Sequence, residues 1–149
     1  MTRVNGGVAP WELPRQALIA EHREITRIPN AVRRNPKIAS TPLPKTFRFG
    51  EGHVRFFYDK LGYLHNRYMD LYRECRKRGY NVTCKSDAFL GLPPKLVGDW
   101  SPELVDRNLT LERLKDRGHR VIGQKLKVVK LKALKYDRSA RSKRQSGVS

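Results

Sequence analysis

The stretch AEHREITR, residues 20–27, places one carboxylate among basic side chains in a pattern that could do chemistry. On a helix, Arg23 and Arg27 lie one turn apart on one face, and Glu24 lies beside them. Guanidinium groups suit the phosphates of a polyanion, and the carboxylate is either an acid–base group or half of a surface ion pair. An exposed ion pair is the commoner fate and contributes only about 0.2–1 kcal/mol. This stretch alone leaves both interpretations open.

The cysteines and histidines do not form a metal-binding pattern. Cys75 and Cys84 are neither a CxxC pair nor part of a ligand quartet, and the four histidines show no HExxH or paired-ligand spacing. We therefore expect no metal, no cofactor and no disulfide, with both cysteines buried or without a role. Any catalysis by this chain is expected to proceed without a metal.

Positive charge is the strongest feature of the composition. The 149 residues include 32 Lys and Arg against 14 Asp and Glu, a formal net charge of +18. Such a field favours a polyanion bound through its phosphates, so nucleic acid is the first partner to consider. No run approaches the ~18 apolar residues of a spanning helix, and the N-terminus lacks an apolar signal core. We expect a cytoplasmic protein that binds nucleic acid and has no membrane partner.

Apolar periodicity predicts that the chain is all-α. Leu18, Ile25 and Val32 recur at intervals of seven and define the buried side of a first helix. This helix is expected to start near Pro14, after an irregular N-terminal arm, and to bend or end at Pro29. Residues 35–52 follow it, are rich in Pro and Gly, and are expected to form a surface connection.

The second predicted helix carries the strongest pattern and is expected to build the core. It extends from about His53 to Arg78, is stopped by Gly79, and has an apolar stripe formed by Val54, Phe57, Leu61, Leu64, Tyr68, Leu71 and Cys75. Tyr and Cys at seam positions favour packing inside one globule over a coiled coil, so we expect a monomer. A third helix begins at the Ser-Pro-Glu signal of residues 101–103 and ends at Gly118.

The length and the charge distribution indicate one domain with a tail. A chain of this size buries roughly 68–70% of its extended surface, which is enough for one core. We assign residues 1–123 to the domain and residues 124–149 to a basic C-terminal tail, partly disordered. The tail has nine basic residues and one acid, but residues 1–123 still carry 23 basic against 13 acidic residues. The tail therefore explains only part of the positive charge.

Five short stretches in order along most of residues 1–117 are specific in combination. They are MTRVN, QALIAEHREITR, GEGHVRFFYDKL, ECRKRGYN, and GDWSPE with RL following eleven residues after Pro102. In this combination the chain resembles the phage-type pyrimidine-dimer DNA glycosylases with AP lyase activity, the endonuclease V type of the T-even phages. The resemblance implies a small all-α domain of three main helices with its N-terminal arm threaded between them. It also implies a DNA repair enzyme acting on double-stranded, damaged DNA.

The resemblance further implies the catalytic groups. The family's nucleophile is the α-amine of a threonine exposed by removal of the initiator Met, which is Thr2 here. An α-amine has a reference pKa of about 7.7–8.0, so a useful fraction is neutral and nucleophilic near neutrality. Attack at C1′ of the sugar releases the base, and the imine then acidifies the C2′ proton so that the 3′ phosphate is eliminated. The family glutamate in an R-E-x-x-R setting is Glu24, which would stabilise charge and move protons.

Basic and polar positions carry over as DNA contacts, and each taken singly is equally consistent with a solvated basic face. The predicted DNA-binding residues are Arg3, Gln16, Arg23, Arg27, Arg34, Arg113 and Arg117. Phosphate contacts position a protein without reading sequence, so lesion choice must come from how readily the DNA kinks and a base leaves the stack. His53 belongs to the resemblance, with helix start or packing as its expected role, and Phe56, Phe57 and Tyr58 are expected in the core.

Two departures from the family pattern concern the substrate. Ala17 stands where many relatives have a His, and after Arg117 a basic segment with Tyr136 as its only aromatic residue replaces the family's segment rich in Trp and Tyr. The same active site could therefore serve abasic sites or another modified base. The alternative from another class is a non-catalytic basic protein that coats nucleic acid. If Met1 stays attached, Thr2 has no free amine and the enzymatic interpretation fails.

Overall fold

The computed structural model describes residues 1–122, and the regular secondary structure in this range is entirely helical. Five α-helices are α1 (Arg15–Glu24), α2 (Arg27–Arg34), α3 (His53–Phe56), α4 (Leu61–Lys77) and α5 (Leu104–Asp116). Short 3-10 turns occur at Pro10–Glu12, Pro36–Ala39, Ser86–Phe89 and Pro94–Leu96. The all-α prediction is confirmed for residues 1–122, and the predicted tail, residues 124–149, lies outside the described range.

The predicted first helix is divided into α1 and α2, and the break lies upstream of the proline that causes it. Pro29 has no N–H to give to the carbonyl of Ile25, and its ring would clash with that carbonyl in a continuous helix. The chain therefore leaves the regular α pattern at residues 25–26, and Pro29 falls in the first turn of α2, where a proline is tolerated. Leu18 and Val32, like Ile25, are fully buried, so the predicted seven-residue pattern is confirmed.

The predicted second helix is interrupted as well, between α3 and α4. A neighbouring loop packs closely at the interruption, where a Cβ on Gly98 would lie only 2.5 Å from the carbonyl oxygen of Asp59. The Gly98 carbonyl in turn accepts the backbone N–H of Tyr63 at 3.0 Å, which satisfies a donor in the first turn of α4. The apolar stripe is buried along its whole length except for half-buried Val54, and Gly79 ends α4 at a φ of 87°.

The core is an aromatic cluster at one end of the α4 stripe, continued by aliphatic side chains along α1. Phe56 and Phe57 are buried as predicted, and both pack edge-on against Trp100, with ring centroids 5.2 and 5.6 Å away. Phe47 stacks on the same indole at 5.3 Å. Each fully buried Leu or Phe contributes about 1.5–3 kcal/mol relative to exposure, so this cluster and the stripe together fix how the helices pack.

The N-terminal arm passes between the helices, as expected. A Cβ on Gly6 would lie 2.9 Å from the Trp100 ring, and a Cβ on Gly7 would lie 2.7 Å from the Cα of Arg107 in α5. Gly7 also has a φ of 86°, a conformation that other residues rarely adopt. Only glycine therefore allows the arm to pass this close to α5.

Candidate active site

Glu24 is the last residue of α1, and its carboxylate stays close to solvent. The side chain is 14% exposed, and its Oε2 lies 3.4 Å from Nη2 of Arg23, which is itself 62% exposed. Within residues 1–122 no other hydrogen bond or ion pair reaches this carboxylate. The surface ion pair considered from the sequence is thus present, but it is long and leaves most of the hydrogen-bonding capacity of Glu24 available.

Arg3 brings the end of the arm together with charges from two helices. Burial lowers the pKa of its guanidinium, as do the positive charges of Arg117, just after α5, and of Arg113 within α5. Glu24 and Glu21 of α1 act in the opposite direction. Thr2 immediately precedes this arginine and is half-buried. Arg3, the chain neighbour of Thr2, therefore lies within electrostatic range of Glu24, Arg113 and Arg117.

The other predicted contact residues are distributed more widely. Arg27 opens α2 and is exposed, and Arg23 precedes the break in the helix, so the two arginines do not share one continuous α-helix. Ile25 and Thr26 keep right-handed helical dihedrals, and the spacing therefore remains close to one turn. Gln16 is exposed at the opposite end of α1, about 12 Å along the axis from Glu24. Arg34 is exposed as the last residue of α2.

A set of buried polar side chains, here called the arm seat, holds the backbone of the arm. Its members are His53, Glu21, Arg67, Arg107 and Thr110. Thr110 donates its hydroxyl to the carbonyl of Gly6 at 2.6 Å, Arg107 donates to the carbonyl of Gly7 at 3.0 Å, and Arg67 donates to the carbonyl of Val8 at 2.8 Å. Consecutive residues of the arm are therefore each fixed by a different helix residue, which orders a segment without regular secondary structure.

Glu21 and Arg67 form the central buried ion pair of the arm seat. The guanidinium donates from Nε to Oε2 at 2.6 Å and from Nη2 to Oε1 at 3.0 Å, in a bidentate arrangement between α4 and α1. Glu21 Oε1 also accepts from the side-chain amide of Asn5 at 2.8 Å, which ties the arm to the pair. Burial lowers the pKa of Arg67, but the charge and hydrogen bond of Glu21, together with Tyr63 and Asp70, raise it overall.

A second buried ion pair anchors the base of the arm to α5. Arg107 donates from Nη2 to Oε1 of Glu12 at 2.8 Å and from Nη1 to Oε2 at 2.9 Å. Glu12 Oε2 also accepts the backbone N–H of Ala9, and the Glu12 carbonyl accepts the N–H of Ile122 at 2.8 Å. Two ends of the described chain therefore meet at this glutamate.

His53 occupies the first position of α3, as expected, and has a specific contact in addition. Its Nε2 lies 2.9 Å from the backbone nitrogen of Val4, and its Nδ1 lies 2.7 Å from the carbonyl oxygen of Arg48. The imidazole is 4% exposed and stacks on Phe49 with centroids 4.7 Å apart. Burial is the main cause of its lowered pKa, and the nearby charges of Arg3 and Arg113 act in the same direction.

An open cavity of about 260 Å³ adjoins the exposed side of Arg23. His22 and Tyr68 form part of its wall, with ring centroids 4.8 Å apart and planes at 24°. His22 Nε2 is buried and has no hydrogen-bond partner among residues 1–122, and burial, followed by the charge of Lys85, lowers the pKa of this histidine. The cavity is therefore polar on one side, aromatic on another and next to a predicted phosphate contact.

The arm seat was not predicted from the sequence, although two of its members leave a signal there. Glu21 lies between Leu18 and Ile25 on the buried side of α1, and Arg67 lies between Leu64 and Leu71 on the stripe of α4. Charged residues are rarely fully buried unless they are paired, so opposite charges on two apolar faces indicate a buried ion pair. The contacts of Thr110 and His53 to arm backbone leave no such periodic signal.

The described residues contain no group of three His, Cys, Asp or Glu side chains that could hold a metal ion, and none of their helices is long and apolar enough to cross a membrane. Within this part of the chain, Cys75 is buried and Cys84 is exposed, and neither forms a disulfide.

Comparison with known protein families gives the identity of the fold and its activity class. A family model described as pyrimidine dimer DNA glycosylase matches residues 1–88, more than half of the 149-residue chain. The match includes the arm, Glu24 and His53, and it ends before Arg113 of α5 and before Arg117, which follows that helix. The chain belongs to the pyrimidine dimer DNA glycosylase family, whose members act on damaged DNA.

Proposed function

We propose that this protein is a bifunctional, metal-independent pyrimidine-dimer DNA glycosylase and AP lyase, with the α-amine of Thr2 as nucleophile after removal of Met1. Glu24 is its acid–base group. The observation that carries the proposal is that Arg3, next to Thr2 in the chain, interacts electrostatically with Glu24, Arg113 and Arg117. Family membership supports the glycosylase activity, and this charge arrangement supports the finer mechanism.

The carboxylate and the arginines have complementary roles in this mechanism. The guanidinium groups bind the DNA phosphates on both sides of the lesion, because arginine matches phosphate oxygens in a bidentate manner. A partly buried carboxylate beside them stabilises positive charge that develops on the sugar. Its loose contact with Arg23 leaves Glu24 able to accept and return a proton.

The bond changes balance without a metal or an oxidant. The neutral amine forms a bond to C1′, the C1′–N bond to the base breaks, and the base leaves with the electron pair. Loss of the amine proton and opening of the sugar ring give an imine. Glu24 then takes a proton from C2′, the C3′–O bond breaks, and the 3′ phosphate leaves with that electron pair. Water hydrolyses the imine and regenerates the amine.

Borohydride trapping tests the covalent step directly. The full chain, confirmed by intact mass to lack Met1, is incubated with a duplex that contains one cyclobutane dimer, borohydride is added, and peptide mass identifies the modified residue. We expect an adduct on the amino group of Thr2. A preparation that retains Met1 is the matched control, because its Thr2 nitrogen is an amide. Absence of adduct with both dimer and abasic DNA in protein without Met1 would overturn the mechanism.

Substrate range is a second question within the same chemistry. Arg3, Arg113 and Arg117 are cations suited to phosphates, and phosphate contacts do not read bases. We propose that residues 1–123 form the catalytic domain of a monomer and that the basic segment 124–149 adds phosphate contacts, which increases affinity without adding selectivity. Comparing cleavage of dimer-containing, abasic and undamaged duplexes separates a dimer glycosylase from an enzyme that prefers abasic sites.

A further inference from the structure

We propose that His53 is a positioning residue for the N-terminal amine, acting as a hydrogen-bond acceptor that fixes the arm at Val4. This inference rests on the proposed function, because it concerns the nucleophile assigned there. Val4 is separated from Thr2 only by Arg3, so about 7 Å of extended chain joins the anchored amide to the amine. The contact of His53 is the anchor nearest to the reacting nitrogen among those of the arm seat.

The two contacts of the imidazole determine its tautomer. Nδ1 lies 2.7 Å from the Arg48 carbonyl oxygen, which only accepts, so Nδ1 must carry a proton. Nε2 lies 2.9 Å from the Val4 nitrogen, which only donates, so Nε2 must present its lone pair. Both requirements are met by the neutral ring alone. Packing against Phe47, Phe49 and Phe57 keeps the ring plane fixed.

The charges around the ring favour this neutral state. Arg3 from the arm and Arg113 from α5 both disfavour an imidazolium, whereas Glu21 from α1 favours it. Glu21 is engaged by Arg67 in a bidentate pair, which restricts its effect on the ring. The Arg48 carbonyl also favours the charged ring, but burial has the largest effect and lowers the pKa of His53 below its usual range.

Protonation of His53 would therefore release the arm. An imidazolium carries a proton on Nε2 as well, so a donor would face the donor N–H of Val4. The backbone next to the nucleophile would then lose its acceptor, and the amine would lose its fixed place. Below the pKa of His53, imine formation should thus be slowed by protonation of two groups, the imidazole of His53 and the amine itself.

Two substitutions separate the acceptor from mere packing. His53→Leu fills the space beside Phe49 with an apolar side chain and removes the Nε2 acceptor of the Val4 amide. His53→Gln places an amide oxygen near the Nε2 position, and it does not titrate. In single-turnover trapping with an abasic duplex at neutral pH, we expect His53→Leu to be roughly tenfold to hundredfold slower than wild type, with unchanged DNA affinity. His53→Gln should restore most of the rate.

The pH profile gives a readout that packing does not affect. Just below the amine pKa, the logarithm of the wild-type trapping rate should fall by one unit per pH unit, which is a single-proton slope. Below the pKa of His53 it should fall by two units per pH unit, because two protons are then taken up. His53→Gln should show a single-proton slope throughout. His65 provides the matched control, since its half-buried ring also stacks on a phenylalanine, Phe89, with centroids 5.0 Å apart, whereas the Val4 amide of the arm bonds to His53. His65→Leu should keep the wild-type rate and slope.

A measurement without DNA keeps this proposal separate from the proposed function. In the NMR spectrum of the full wild-type chain, the nitrogen shifts of His53 should report the Nδ1–H tautomer, and exchange of the Val4 amide should accelerate as this ring titrates. Suppose that the wild-type protein forms no adduct but its Val4 amide exchange follows the titration of His53. This result would overturn the proposed mechanism and leave the His53–Val4 contact established. Equal trapping by His53→Leu and wild type, or a Val4 amide indifferent to the titration of His53, would overturn the positioning role.

Discussion

Glu21 and Glu24 lie one turn apart on α1, yet their surroundings are opposite. Glu21 is 1% exposed, holds Arg67 with both oxygens and accepts from Asn5 as well. Glu24 is 14% exposed and has one contact of 3.4 Å with an arginine that is largely in solvent. The first carboxylate is fully committed to the folded structure, whereas the second keeps its lone pairs available.

The difference shows how one helix supports both the structure and the chemistry of the arm. A carboxylate that is buried, paired and bidentate cannot exchange protons readily, because protonation would leave a buried cation unpaired. A carboxylate at the helix end, close to solvent and grouped with Arg3, has no such restriction. The same residue type therefore positions the arm at one place and is proposed to react beside it at the other.

The largest expected effect comes from neutralising the open carboxylate. Glu24→Gln should slow cleavage of a dimer-containing duplex by about 10²–10⁴-fold, the usual contribution of a positioned acid–base group. The free energy of unfolding should change by less than about 0.5 kcal/mol, because the lost contact is long and its partner Arg23 is largely in solvent. Single-turnover cleavage and urea unfolding of the same preparation measure both quantities. DNA binding is expected to persist, and cleavage at the wild-type rate would contradict the assignment of Glu24.

A substitution at the buried Glu21–Arg67 pair should instead lower the stability of the fold. Arg67→Leu leaves the Glu21 carboxylate buried without its partner, and breaking such a pair costs about 3–5 kcal/mol in the free energy of unfolding. Arg23→Ala is the matched control, since it removes the partner of Glu24 and should cost less than about 1 kcal/mol. Urea unfolding midpoints compare the two variants. Similar losses in both would show that the two carboxylates are not energetically distinct.

Periodicity predicted the helices well, but it did not predict their interruptions. Leu18, Ile25 and Val32 are buried as their spacing required, because an apolar stripe at helical intervals has only one way to leave water. The break between α3 and α4 lies where Gly98 approaches Asp59, and these residues are separated by the whole of α4 and a long loop. Such a contact is a property of the tertiary packing, and no local pattern around residue 59 indicates it.

The candidate site also has parts that the sequence predicted and parts that it did not. Arg3 lies within electrostatic range of Glu24, Arg113 and Arg117, although the last two are far from the arm in sequence. The resemblance named these residues one by one and did not specify how they meet. The arm seat could not be derived by that route, because hydrogen bonds from Thr110 and Arg107 end on backbone carbonyls, which carry no sequence signal. The distance between site residues was also not predictable from the sequence pattern. Gln16 is exposed, but it lies at the far end of α1 from Glu24.

The smallest expected effect concerns the arginines near Glu24. Arg117→Ala should weaken binding to dimer-containing and undamaged duplexes alike and reduce the salt slope of the binding constant by about one, because each phosphate contact releases about one counterion. Fluorescence anisotropy over a series of salt concentrations measures the slope. Arg73→Ala is the matched control, since it removes the same charge from an exposed pair with Asp70 on α4. An equal change in both variants would mean that net charge alone determines affinity, whereas a change confined to Arg117 would assign a phosphate to the side of the arm where Glu24 lies.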